Sequence, residues 1–101
     1  MASSKDYRDY VLEQLNLLET ITYRPMMGEF LLYYNQILFG GIYDDRLLIK
    51  KTKTNDQFQL NEQIPYEGAK SMYFIDNMED REWLKSVVLE TCKGLKSKKK
   101  K

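Results

Sequence analysis

The stretch from Thr22 to Lys51, TYRPMMGEFLLYYNQILFGGIYDDRLLIKK, leaves the chain few folds to choose from. Short runs of β-branched, aromatic and aliphatic residues alternate there with turn-forming pairs, the pattern of consecutive antiparallel strands. Within residues 29–34, Phe30, Leu32 and Tyr34 share one face of a strand while Leu31 and Tyr33 share the other. Both faces are apolar or aromatic, which calls for cover on both sides, by helices on one and by a second subunit on the other. Asn35-Gln36 is a two-residue gap suited to a tight hairpin with Asn at positive φ. Asp44-Asp45 is a second tight turn. Gly40-Gly41, in the middle of the returning strand, marks a bulge, a sharp bend, or a place where a backbone or a ligand comes close.

The flanks read as helices that cover one face of this sheet. Residues 4–19 form the first, with Ser3 and Asp6 in the form of a capping box and Tyr7, Val11, Leu15 and Leu18 as its apolar stripe. Thr20–Tyr23 is a strand that Arg24-Pro25 stops, since proline has no N–H to give a ladder. Gly28 closes the following turn in a conformation that a side chain would resist. Arg46–Lys50 ends the meander. Residues 51–63 are polar, a short helix or a loop anchored only by Phe58 and Leu60. Residues 64–68 turn, and residues 71–76 form a fifth strand. Asn77 caps the last helix, which turns Trp83, Leu84, Val87, Val88, Thr91 and Leu95 inward and nears its end at Gly94. The expectation is an α+β fold: an N-terminal helix, an antiparallel β-meander of about four to five strands, and a C-terminal helix packed on one face. One domain spans residues 1–95, with a basic, solvated tail over residues 96–101.

Charge is divided unevenly. Six of the 16 basic residues lie between Lys93 and Lys101, where there is no acid, so the other 10 face 15 acids and the body carries −5. An acidic body argues against a nucleic-acid footprint spread over the fold. Weak, non-specific nucleic-acid association through the lysine tail is the alternative. No apolar run approaches the roughly 18 residues of a membrane span, and the first residues lack an apolar leader segment. With a single cysteine, Cys92, no intrachain disulfide forms, and the cytoplasm is the expected compartment.

The reactive inventory is thin. There is no histidine, which removes the commonest general base and the ordinary zinc sites. No glycine-rich phosphate loop precedes a helix. The expectation is a non-enzymatic protein with no cofactor and no metal. Asp44-Asp45 reads as a turn former rather than a carboxylate pair, and Cys92 as packing rather than a redox thiol. Met26, Met27, Met72 and Met78 fill gaps in a core or soften a binding surface. Eight tyrosines are too many to bury with every hydroxyl satisfied, so some belong at an interface. Arg24 either braces the strand end with a salt bridge or holds a carboxylate or backbone carbonyls.

Tyr23-Arg24-Pro25-Met26-Met27-Gly28, Leu32-Tyr33-Tyr34, Phe39-Gly40-Gly41-Ile42-Tyr43 and Leu47-Leu48-Ile49-Lys50 together resemble the N-terminal domain of the TfoX/Sxy family of bacterial competence regulators. Pro65-Tyr66 and Met72–Asp76 continue the resemblance, which covers about residues 5–95. It implies an α+β domain in a regulatory, non-enzymatic setting. The longer regulators carry a second, helical domain, whereas this sequence turns to lysines after Leu95. The resemblance therefore implies a binding or regulatory module that works through protein contacts, with a homodimer expected. It offers no catalytic residues. Arg24, Met27, Gly28, Gly40, Gly41 and Tyr43 are the candidate patch, functional or architectural.

Overall fold

Ser4, rather than Ser3, opens the first helix, α1 (Lys5–Gln14), and its hydroxyl accepts the Tyr7 N–H at 3.0 Å. Ser3 is buried instead. Its hydroxyl donates to Glu29 Oε1 at 2.6 Å and accepts from the Asp45 N–H at 3.0 Å, tying the start of the chain to two hairpins. The helix ends five residues before the expected residue 19. Asn16 and Leu18 then bond back three residues, to Glu13 and Leu15, which satisfies carbonyls at the helix end and brings Leu18 into the core. This computed structural model describes the backbone of residues 3–99 and the side chains of residues 3–96.

Six strands follow: β1 (Ile21–Met26), β2 (Glu29–Tyr34), β3 (Ile37–Ile42), β4 (Leu47–Ile49), β5 (Asn61–Gln63) and β6 (Met72–Ile75). They form one antiparallel sheet in the order β1-β2-β3-β4-β6-β5. The meander of the first four was expected. The sixth strand comes from the polar segment after Lys51, where a one-turn 3-10 helix (Asp56–Phe58) leads into β5 at the far edge. β1 also runs further than expected. Pro25 does not end it, because β1 is an edge strand and a missing N–H on its open side breaks no ladder.

Three two-residue turns set the register of the meander. Met27-Gly28, Asn35-Gln36 and Asp44-Asp45 all have positive φ at both residues, between 50° and 86°. Tyr43 and Arg46 close the last of them with paired backbone bonds of 2.9 and 3.0 Å. The expected bulge lies in β3. Leu32 faces Gly40 and Tyr33 faces Leu38, so Phe39 is the additional residue. The slip keeps Phe39 and, beyond the glycines, Ile42 on the same buried side.

Both helices cover one face. Val11, Leu15 and Leu18 from the N-terminal segment, and Leu84, Val87, Val88 and Cys92 from α2 (Arg81–Lys99), share a core with Phe30, Leu32, Phe39, Ile42, Leu47, Ile49 and Ile75. Asp80, not Asn77, caps α2, accepting the Trp83 N–H at 3.1 Å. α2 also does not stop at Gly94, which instead meets the loop after β4: a Cβ there would lie 2.7 Å from the Thr52 Cβ. The backbone of residues 96–99, placed in the expected tail, continues α2, and residues 100–101 lie outside the described residues. No described helix is long and apolar enough to cross a membrane.

Candidate functional site

Strand alternation sends the other half of the sheet's side chains to a face with no helix on it. Arg24, Leu31, Gly41, Leu48, Phe74 and Asn61 line up across the strands on that side, with Tyr33 beside Leu38 in the adjacent row. Leu31, Tyr33, Leu38, Met72 and Phe74 are each only half-buried. Leu48 at the centre is fully buried yet belongs to no part of the helix-side core. The second apolar face read from the sequence is therefore present, and among the described residues no helix covers it.

The six candidate residues do not form one cluster. Gly41 and Tyr43 meet, whereas Gly40 lies against the β4 backbone at Leu48 and Ile49. A Cβ on Gly41 would lie 2.9 Å from the Tyr43 ring and 2.6 Å from the Phe30 carbonyl, so Gly41 is the seat of that ring. Met27 and Gly28 form the β1–β2 turn, where Met27 is 95% exposed and the Gly28 carbonyl accepts the Ser3 N–H at 3.0 Å. Arg24 lies on the exposed edge strand, beside Thr22, Tyr33 and Gln36. The salt bridge considered for it is absent among the described residues.

The carbonyl-binding arginine is Arg46. Its guanidinium donates to the carbonyls of Tyr43, Ile64 and Pro65 at 3.2, 3.2 and 3.3 Å and to Gln63 Oε1 at 2.7 Å. It thereby fixes the β5–β6 connection against the β3–β4 turn. That connection and the helix-free face enclose a groove of about 630 Å³ bounded by Tyr43, Lys50, Pro65, Tyr66, Lys70 and Met72. The rings of Tyr43 and Tyr66 are 6.1 Å apart and tilted by 54°. Burial, and after it the neighbouring Tyr66, raises the Tyr43 phenol above its ordinary pKa, so it stays a neutral donor. The sequence signal for Arg46 was weak: an arginine after an acidic turn pair ordinarily reads as a solvated charge.

Among the described residues no group of three acids or thiols could hold a metal ion. Asp44 and Asp45 are turn residues whose N–H groups bond to Glu29 Oε1 and Ser3 Oγ, both at 3.0 Å. Cys92 is buried, and that burial raises its thiol pKa to about 11. The thiolate is what alkylating agents attack. Iodoacetamide at pH 7.5 is expected to label Cys92 at least tenfold more slowly in the native chain than in guanidinium. Equal rates would mean that α2 opens freely. The raised pKa also makes stability fall with pH between about 9 and 11, where the unfolded chain has already lost the thiol proton that the native chain keeps.

The family profile described as the TfoX N-terminal domain matches residues 13–94, from the end of α1 through most of α2. An uncharacterised 12.7 kDa protein from the trpE 5′ region of Spirochaeta aurantia is 31% identical over 80 residues, covering 77% of this chain and 70% of the relative. The match takes in all six strands and the Gly40-Gly41 bulge, and on this footing the chain belongs to the TfoX N-terminal domain family.

Proposed function

We propose that this chain is a non-enzymatic binding or regulatory module of the cytoplasm that acts through protein contacts made by the helix-free face of its sheet. The observation that carries the reading is the half-buried row of Leu31, Tyr33, Leu38 and Phe74 around a fully buried Leu48, with both helices on the opposite side. A sheet with one helix-covered face ordinarily turns polar side chains to water on the other. Contiguous apolar and aromatic surface instead marks an interaction site. The sequence holds no histidine, the commonest general base, which favours a binding role over a chemical one.

A charge in the middle of the face tests this. Leu38→Glu alters a half-buried position outside the helix-side core, so the melting temperature is expected to fall by only about 5 °C. In light scattering the native chain is expected at about twice its 12.1 kDa and the variant at 12.1 kDa. A specific protein retained from cytosol by the native chain is expected to be lost from the variant. A chain ending at Leu95 is expected to behave as the native one, since the surface belongs to the fold. Self-association and capture that survive Leu38→Glu unchanged would place the contact elsewhere.

A further inference from the structure

We infer that the groove between Tyr43, Tyr66 and Lys50 receives an acidic segment of a partner protein, anchored by one apolar or aromatic side chain. The inference gives the partner's chemistry for the protein-contact role proposed above and rests on that role. The groove sits at one end of the helix-free face, and three independent features shape it.

The first is rigidity. Pro65 is buried, and Arg46 holds the carbonyls of Ile64 and Pro65, so the wall formed by the β5–β6 connection is fixed before anything binds. The Tyr43 ring is seated over Gly41 and is 7% exposed. A preformed cleft spares a ligand the cost of ordering it.

The second is shape and polarity. Tyr66 is 57% exposed, an outlay of aromatic surface in the lining, with Met72 beside it. A volume of about 630 Å³ suits a few side chains rather than a folded element.

The third is charge. The groove's lining includes three lysines and no acid. Lys51 is occupied, its ammonium 3.0 Å from Glu62 Oε1 and 3.1 Å from Ser71 Oγ. Lys50 and Lys70 make no ion pair among the described residues. On a body that carries five more acids than bases over residues 1–92, two uncompensated cations beside an apolar slot are the complement of a carboxylate-bearing peptide. They are poorly suited to a polynucleotide. Its evenly spaced phosphates would extend past the two lysines onto the acidic remainder of the surface, where they would be repelled.

The test is selection of random twelve-residue peptides displayed on phage against the full chain, followed by synthesis of the consensus peptide. The expected consensus carries two or more Asp or Glu around an aromatic or aliphatic residue. Its affinity is expected to fall at least tenfold for the double variant Lys50→Glu, Lys70→Glu and to weaken with added salt. A synthetic peptide with lysine in place of the acids is expected to bind that double variant and not the native chain. Because neither ammonium has an ion-pair partner among the described residues, the double variant is expected to melt within about 3 °C of the native chain. A consensus without acids, or binding indifferent to the two lysines, overturns the groove as an acidic-peptide site and leaves the wider face as the contact. Tight binding of a twenty-residue oligothymidylate that the double variant abolishes would overturn it in favour of nucleic acid. A double variant that is monomeric where the native chain is dimeric would overturn it in favour of a second copy. No enriched peptide, together with a native chain that is monomeric and captures nothing, would overturn both the groove and the protein-contact reading.

Discussion

Gly40→Ala is expected to cost about 3 kcal/mol or more and to lower the melting temperature by roughly 12–24 °C. A Cβ on Gly40 would meet the Leu48 carbonyl oxygen and lie 2.8 Å from the Ile49 Cα. Both are backbone atoms of β4, paired with β3 at Gly40–Ile49 and Gly41–Leu48. A flexible side chain can swing away from a methyl group, but a paired strand cannot. Relief would have to come from parting β3 and β4 where Leu47, Leu48 and Ile49 are all fully buried. Gly68→Ala is the matched control. Gly68 has φ +89° and open space where its Cβ would stand, so alanine there pays only the backbone term, about 1 kcal/mol. Thermal unfolding followed by circular dichroism separates the two. A Gly40→Ala loss no larger than the Gly68→Ala loss would show that the central strands spread easily.

The same geometry explains which parts of the molecule were legible in the sequence. The hairpins were, because Asn35-Gln36 and Asp44-Asp45 carry turn chemistry in the two residues themselves, and the double glycine carries the bulge. The core stripe of α1 was, because a period near 3.6 survives even though the helix ends at Gln14. Gln14, a polar residue of the same helix, is different. It is buried because its amide donates to the Met78 carbonyl at 2.6 Å, a partner 64 residues away that no local pattern reveals. β5 was hidden for a related reason: Asn61, Glu62 and Gln63 have no strand propensity, and pairing with Met72–Phe74 imposes their conformation. The roles of the two arginines depended wholly on tertiary position. The turn that carries Arg46 lies against the β5–β6 connection, whereas Arg24 lies on an open edge. Lys50 and Lys70 gain meaning only because the chain brings them to one groove across 20 residues of sequence.

Asn55 is the polar residue whose loss should matter most. It lies in the polar segment where Phe58 and Leu60 looked like the only anchors, and it is fully buried. Its amide donates to the Lys50 carbonyl at 2.8 Å and to Thr91 Oγ1 at 2.9 Å, and its own oxygen accepts the Thr52 N–H at 2.9 Å. Thr91 passes the chain on to the Val87 carbonyl at 2.8 Å, and the Thr54 hydroxyl donates to the Glu90 carbonyl. This network fastens the loop after β4 to α2, at the place where Gly94 lets Thr52 and Thr54 come close. Asn55→Ala removes both donors and the acceptor at once. It strands the Lys50 carbonyl and the Thr52 N–H out of reach of their partner, at an expected cost of about 3 kcal/mol. The melting temperature should fall by roughly 15 °C. Asn55→Asp should be at least as damaging, because it keeps the acceptor, loses both donors and buries a carboxylate. Ser86→Ala, on the exposed side of the same helix, should change the melting temperature by no more than about 3 °C. If Asn55→Ala melts with the native chain, water has taken the place of the amide, and the loop is held by Gly94 and its two threonines instead.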